Sequence, residues 1–317
     1  MSIPQGYVVR RPHRTDVDAI TKLLIACDRE DIGHPDSDEE DVLWRWRTPE
    51  FSLDDDAWLI SSDADGIVAY CWVFEATIEA SVHPRHRASG LGRHLHDLAE
   101  RRAVQQAPDE GSLALSRTVS ARDAAARRLL EESGYEQSHH YARMTIAFEE
   151  PPRAPSWPQG VTVRTYELGR DDRRVHDVIN AAWAEYAVNA WQPEPFERWM
   201  ERTAGEDFDP ELWFVGDTEN GVAGASLCLK RPSMGWVGHL GVHPVWRGRG
   251  VGRALLEHSF GEYYRRGVKE VGLTVSSRNS PSARRLYERV GMREVLRYES
   301  WTKTVTSRRR LDGASSP

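Results

Sequence analysis

An α/β fold of the α+β kind, present twice in tandem, is predicted by two observations: a long internal repeat, and an apolar periodicity that switches between strand and helix within each copy. The segment SVHPRHRASGLGRHLHDLAERRA at 81–103 matches GVHPVWRGRGVGRALLEHSFGEY at 241–263, an offset of about 160 residues. Further on, ARRLLEESGY at 126–135 matches ARRLYERVGM at 283–292, and VVRRPHRTD from 8 corresponds to TVRTYELGRDD from 162. The repeat covers nearly a whole domain twice, and 317 residues suffice for two domains of ordinary size.

Each copy reads as an opening strand, an amphipathic helix, further strands, a turn that opens a long helix, another strand and a final helix. In the second copy LWFVGD from 212 and AGASLCLKR from 223 are strands joined by a hairpin at Asn220-Gly221. WVGHLGVHP from 236 is the next strand, stopped where Pro244 has no amide hydrogen to donate. A helix opens at Gly250 and carries Leu255, Ser259, Tyr263 and Leu256, Phe260, Tyr264 at i, i+4 spacing. VKEVGLTVSS from 268 is a strand, Ser280-Pro281 starts the last helix, and Gly291 closes it. In the first copy Ser120 and Asp123 suggest a capping box. Between the copies EEPPRAPSWPQG at 149–160 has no period and several prolines. The expected division is therefore an N-terminal domain at 1–150, a linker at 151–160, a C-terminal domain at 161–305 and a disordered tail at 306–317.

No run of about 18 apolar residues is available to span a bilayer, and the first twenty residues lack the apolar stretch of a signal peptide, so a soluble cytoplasmic protein is expected. Cys27, Cys71 and Cys228 are widely spaced and odd in number, which predicts reduced, mostly buried thiols and neither a disulfide framework nor a metal site. The net charge of −7 argues against nucleic acid as a partner, despite basic clusters at 85–87 and 308–310. The acidic stretch DREDIGHPDSDEED at 28–41 is expected as a solvated loop in preference to a wall of a cleft.

The most informative string is Arg247-Gly248-Arg249-Gly250-Val251-Gly252, between a predicted strand and a predicted helix. Glycines there allow positive φ and close backbone approach, so successive N–H groups can converge on phosphate oxygens at the positive end of the helix dipole. Gly-x-Gly-x-Gly is not the Gly-x-Gly-x-x-Gly spacing of a dinucleotide fold. VHPVWRGRGVG, followed by a helix, a strand and NSPSARRLYERVGM, resembles the acyl-CoA-binding core of the GNAT superfamily of N-acyltransferases, and the resemblance extends over both copies.

That resemblance implies, in each copy, a mixed, mostly antiparallel, splayed sheet flanked by helices, with acetyl-CoA as co-substrate and no metal. It implies that Arg247, Gly248, Arg249, Gly250, Val251 and Gly252 grip the pyrophosphate of coenzyme A, that Leu240, Gly241 and Val242 line the acyl thioester, and that Asn279 contacts the coenzyme. Tyr287 matches the family tyrosine that gives a proton to the departing thiolate; the plainer reading is a core tyrosine packed on the sheet. His239 could take a proton from an amine, or simply pack on the sheet. Glu185, Tyr186 and Glu194, with Asp207 and Asp209, border the expected acceptor cleft or are solvated charges.

The first copy keeps the turn as Arg87-Ala88-Ser89-Gly90-Leu91-Gly92, of which Arg87, Gly90 and Gly92 are candidate coenzyme contacts, but has Leu130 for Tyr287 and Arg122 for Asn279. It is expected to bind or scaffold and not to catalyse. The size and layout are similar to a mycothiol-synthase-like architecture, whose segment GEDFDPELWFV at 205–215 resembles, although ASLCLKR and Trp236 stand where that type has a Trp-Thr-Lys-like element and a glutamate. The expected activity is transfer of an acetyl group from acetyl-CoA to a primary amine of a small molecule, by a monomer or homodimer without nucleic-acid or membrane partners. The alternatives are a non-catalytic acyl-CoA-binding regulator and an acetyltransferase of protein lysines or N-termini.

Overall fold

The structure, a computed structural model, describes residues 3–106, 112–184, 193–203, 208–230, 234–278 and 281–306. The chain divides into two units, one comprising Met1–His140 with Tyr298–Pro317 and the other Tyr141–Arg297.

In the first unit the order is β1 (Tyr7–Arg10), α1 (Val17–Asp31), α2 (Glu39–Arg47), the single turn α3 (Leu53–Asp56), β2 (Ala57–Ser62), β3 (Gly66–Phe74), β4 (Thr77–Val82), α4 (Leu91–Gln106), β5 (Ser112–Ser120), α5 (Ala124–Glu132) and the start of β6 (Glu136–Ala147). β1 to β4 form an antiparallel meander, in which β3, IVAYCWVF after its first glycine, has the β-branched and aromatic content of a strand buried on both faces. On one face Leu91, Leu95, Ala99 and Ala103, four apart along α4, pack on Ile60, Val68 and Cys71. On the other, Ile20, Leu23 and Cys27 of α1 meet Trp46 of α2 over Leu59 and Tyr70. α2 begins with a reciprocal cap, Asp41 N–H donating to the Asp38 carboxylate and Asp38 N–H to that of Asp41, both at 3.0 Å.

The second unit takes the remainder of β6, β7 (Thr162–Thr165), α6 (Asp172–Ala184), α7 (Phe196–Thr203), β8 (Trp213–Thr218), β9 (Gly221–Lys230), β10 (Gly235–Val242), α8 (Val251–Arg265), β11 (Glu270–Ser276), α9 (Pro281–Arg289) and the start of β12 (Arg293–Thr306). Its strands lie in the order β7-β8-β9-β10-β11-β6, antiparallel except for β10 beside β11. The β8–β9 hairpin lies where expected, but its turn residues are Glu219 and Asn220, one position earlier than Asn220-Gly221: Thr218 stands opposite Gly221, which already begins β9. Leu255, Ser259 and Tyr263 of α8 are buried with Leu256 and Phe260 beside them, which matches the stripe read from the sequence.

Three expectations need correction. The last helix does not end the second copy: β12 follows it, and β6 follows α5 in the first. Residues 298–306 of β12 run antiparallel to β5, from Tyr298 opposite Ser120 to Thr306 opposite Ser112, so the end of the chain completes the first unit. Residues 141–147 of β6 pair with β11 in the second unit. The cap of α5 is Asp123 itself, whose carboxylate accepts from Ala126 N–H at 2.9 Å, while Ser120 serves the preceding turn through Arg122 N–H at 3.2 Å. Third, the acidic stretch at 28–41 is not a solvated loop: it closes α1, opens α2 and walls a cavity described below.

The stretch 148–161 has no regular strand or helix, and its Trp157 packs edge-on to His258 of α8 at 6.0 Å. The expected tail lies outside the described residues apart from Thr306, which ends β12. No helix among the described residues is long and apolar enough to cross a membrane. All three cysteines are free and buried.

Candidate functional site

The second unit opens between its two parallel strands. β10 and β11 pair only at Gly235 with Val271 and Trp236 with Gly272 and then part, while β10 continues beside β9 to Val242. The register to β9 shifts between Val237 and His239, so Gly238 forms a bulge at the point of parting. A cavity of about 80 Å³ fills the gap, lined by Val237, Gly238, Leu240, Leu273, Ala283 and Tyr287 among others.

Tyr287, on α9, is 8 % exposed, and burial pushes its hydroxyl up to about 12. It therefore keeps its proton at neutral pH. Leu240 and Val242 face the α8 side of the sheet with the core. His239 stands on the opposite side, its ring edge-on to Trp183 of α6 at 6.0 Å. Gly241 is explained by close approach: a Cβ there would lie 2.7 Å from Ile179 Cδ1 and 3.2 Å from Ala182 Cβ, so glycine lets α6 pack directly on β10.

The glycine-rich turn has the backbone expected of it. His243 caps a short 3-10 turn by accepting from Val245 N–H at 3.4 Å, and Gly248 and Gly250 take φ of +71° and +94° with open space beside them. The first helical bond of α8 runs from Ala254 N–H to Gly250 C=O at 3.0 Å, which leaves the amides of Val251, Gly252 and Arg253 without an acceptor inside the helix. That is a fit for an anionic pyrophosphate.

Two residues of the turn also have internal duties. Arg247 donates to Val242 C=O at 3.4 Å and Ala182 C=O at 3.0 Å, tying the turn to β10 and α6. A Cβ on Gly252 would come within 3.2 Å of Leu286 and 3.3 Å of Val242, so this glycine serves packing between α8, α9 and β10. Arg249 is exposed, its guanidinium 5.1 Å from the Trp246 ring.

The first unit repeats the turn atom for atom in several respects. His83 accepts from Arg85 N–H at 3.3 Å, Arg87 Nε donates to Val82 C=O at 3.3 Å, and Ala88 and Gly90 take φ of +60° and +88°. Arg87 is further held by the Asp31 carboxylate in a two-pronged contact at 2.7 and 2.8 Å. Gly92 meets Leu129 and Val82 at ordinary van der Waals distance from where a Cβ would stand. Here too the parallel strands part: β4 and β5 pair only at Thr77 with Ser116. Leu130, in the position of Tyr287, is fully buried and offers no proton.

Two cavities flank this second gap. One of about 380 Å³ lies against Ala88, Gly90, Gly92, Arg117 and Leu129. The other, of about 490 Å³, lies against Asp28, Asp31, Arg45, Tyr70, Trp72 and Glu79. Both touch Ala80, Val82, Arg87, Asp123 and Ala126. Glu79 is half-buried, and burial raises its carboxyl to about 7 against the pull of Arg117 and Arg45 in the other direction. Sequence reasoning passed over Glu79 and Arg117, although the repeat itself points to them: aligning Val-His-Pro sets Glu79 with His239, and aligning Thr-Val-Ser sets Arg117 with Leu273.

Other expected site residues fall elsewhere. Asp209 accepts from Glu211 N–H at 2.9 Å and pairs with Arg266 at 2.6 Å. The Glu194 carbonyl lies 2.7 Å from His176 Nε2. Arg122 reaches Asp31 C=O at 3.3 Å. Asn279, Glu185, Tyr186 and Asp207 lie outside the described residues.

Comparison with known proteins agrees with this geometry. The family model described as Acetyltransferase (GNAT) family matches residues 175–292. A mycothiol acetyltransferase of Tsukamurella paurometabola is 32 % identical over 242 residues, covering 71 % of this chain and 77 % of that protein. A GCN5-related N-acetyltransferase from Sphaerobacter thermophilus is 34 % identical, with a TM-score of 0.83 over 98 % of this chain and 99 % of its own. A tandem GNAT protein from the clavulanic acid biosynthesis pathway shares the fold at 17 % identity, with a TM-score of 0.72 and coverage of 96 % and 99 %.

Proposed function

Since the chain belongs to the GNAT family of acetyltransferases and is an acetyl-CoA-dependent N-acetyltransferase, we propose that its second unit carries the transfer, to a primary amine of a small molecule, with Tyr287 as the acid. The observation that carries this reading is Tyr287 in the gap between β10 and β11, beside the Gly238 bulge. Acetyl-CoA, when bound, supplies the activated acetyl group. The free amides at the start of α8 and the turn through Gly248 and Gly250 hold its pyrophosphate, with Arg249 adding charge and Arg247 keeping the turn on β10. The bulge takes Gly238 out of the ladder, which supports a backbone N–H there as the donor to the acyl oxygen. Tyr287 holds a proton for the departing thiolate.

For His239, across the sheet beside Trp183, the proposed role is to take the proton of the incoming amine. The relatives are named for mycothiol, which supports a small-molecule acceptor over a protein lysine or N-terminus. The three buried free thiols fit a reducing compartment, which supports a cytoplasmic enzyme.

Glu79 favours a second reading, in which the first unit also transfers: it occupies the place of His239 and fronts the larger cavity. Steady-state kinetics on Tyr287→Phe and Glu79→Gln separate the two. Tyr287→Phe is expected to lower kcat by roughly 10²- to 10³-fold with little change in KM for acetyl-CoA. An undiminished kcat in Tyr287→Phe, together with a comparable loss in Glu79→Gln, would move the chemistry to the first unit.

A further inference from the structure

One buried cation in the first unit has no carboxylate in hydrogen-bonding contact among the described residues. Arg117 of β5 is 2 % exposed. Its Nη2 reaches only the Ala80 carbonyl, at 3.4 Å, and its Nε and Nη1 have no hydrogen-bond partner among the described residues. The groups around it are kept neutral by burial: the Cys71 thiol is pushed up to about 12, the Tyr135 hydroxyl is raised, and the His96 imidazole is lowered. Glu79 feels its field but lines the other cavity. An unpaired guanidinium in such surroundings is costly, so a protein that keeps one has a use for it outside the fold.

Its position says what use. Arg117 directly follows Ser116, the residue of β5 that pairs with β4, and it lines the cavity that begins at Ala88, Gly90 and Gly92. Leu273 likewise directly follows Gly272, the last residue of β11 paired with β10, and there it lines the gap with Tyr287. The guanidinium thus sits at the acyl end of the first unit's coenzyme cleft, where the second unit is apolar. The other arginines on that cavity are already matched: Arg87 by Asp31, and Arg93 and Arg128 by Glu132.

We propose that the first unit binds an acyl-coenzyme A whose acyl group ends in a carboxylate, which meets Nε and Nη1 of Arg117. This rests on reading the first unit's turn as a coenzyme A site, and it is independent of which unit transfers the acetyl group. The same donors would accept a free carboxylate, so the test includes one.

Calorimetric titration of the full chain with succinyl-CoA, acetyl-CoA and free succinate, in wild type and Arg117→Leu, reads the proposal directly. One wild-type site is expected to take succinyl-CoA about 10- to 100-fold more tightly than acetyl-CoA, as a charge-assisted pair would give. Arg117→Leu should erase that preference and raise the melting temperature of the ligand-free protein, since it removes an unpaired buried charge. Should Arg117→Leu misfold, Arg117→Gln provides the same binding comparison. Equal affinity for the two thioesters in wild type overturns the carboxylate while leaving the coenzyme reading of the turn in place. A single thioester site in wild type, lost in Gly252→Glu, places coenzyme binding in the second unit alone and overturns both. Free succinate binding as tightly as succinyl-CoA overturns the thioester and assigns a site for small anions.

Discussion

The carboxyl of Glu79 lines a cavity with Tyr70 and Trp72, and its protonation near neutrality follows from whether burial or the charges of Arg117 and Arg45 prevail. Burial raises it to about 7; Arg117 and Arg45 act in the opposite sense and are outweighed. The folded chain therefore holds this proton over a range in which the unfolded chain, with an ordinary carboxyl, has released it. Stability from this group is complete below the ordinary carboxylate range and is lost as pH rises toward 7. Glu79→Gln removes the titration. Chemical denaturation at pH 5 and pH 8 should show the variant gaining on wild type between the two, by at most about 3 kcal/mol; a difference independent of pH would sink the assignment. At this scale the sequence was legible where a residue's role is carried by the backbone, as at Gly248 and Gly250, and silent where it depends on a neighbour distant in the chain. The close approach of Ile179 that requires a glycine at 241 has no local signal, and Arg117 shows only through the repeat, where it aligns with Leu273.

At the scale of elements, what the sequence discloses depends on whether the period of the pattern survives the charges laid over it. α8 was legible because its apolar i, i+4 rows are uninterrupted, and β10 because Pro244 and the glycine turn punctuate its end. β12 was missed because REVLRYESWTKTVT alternates with charged residues. Glu299 is among those buried, with Arg127 at 2.9 Å, which breaks the simple rule of apolar inward and polar outward. The start of α5 shows a cap that was read three residues early. Asp123, and not Ser120, satisfies an amide of the first turn. Asp123→Ala is expected to cost about 1 kcal/mol in urea denaturation, while Asp123→Ser, which can still accept from Ala126, retains most of it. Equal stability of wild type and the alanine variant would show that the cap is idle.

For the molecule as a whole, the repeat disclosed two copies of one fold, but a repeat of sequence does not say which strands each copy uses. The first unit draws its last strand from the far end of the chain: residues 298–306 of β12 cover β5, and Trp301 is buried in the same core as Leu95, Leu115 and Leu130. Without that strand β5 becomes an open edge and a large aromatic side chain leaves the core. Each loss is serious for a domain of this size, because deletion of a buried tryptophan alone costs about 3 to 5 kcal/mol and net stabilities are about 5 to 15 kcal/mol. A chain ended at Glu150, which contains every residue of the first copy of the repeat, is therefore expected not to fold cooperatively. The same chain with residues 293–306 added back as a peptide should regain ordered structure. Circular dichroism melts of the fragment with and without the peptide make the check. A sharp unfolding transition of the fragment alone, at the temperature seen for the full chain, would show that β12 is dispensable and that the first copy of the repeat is a complete domain by itself.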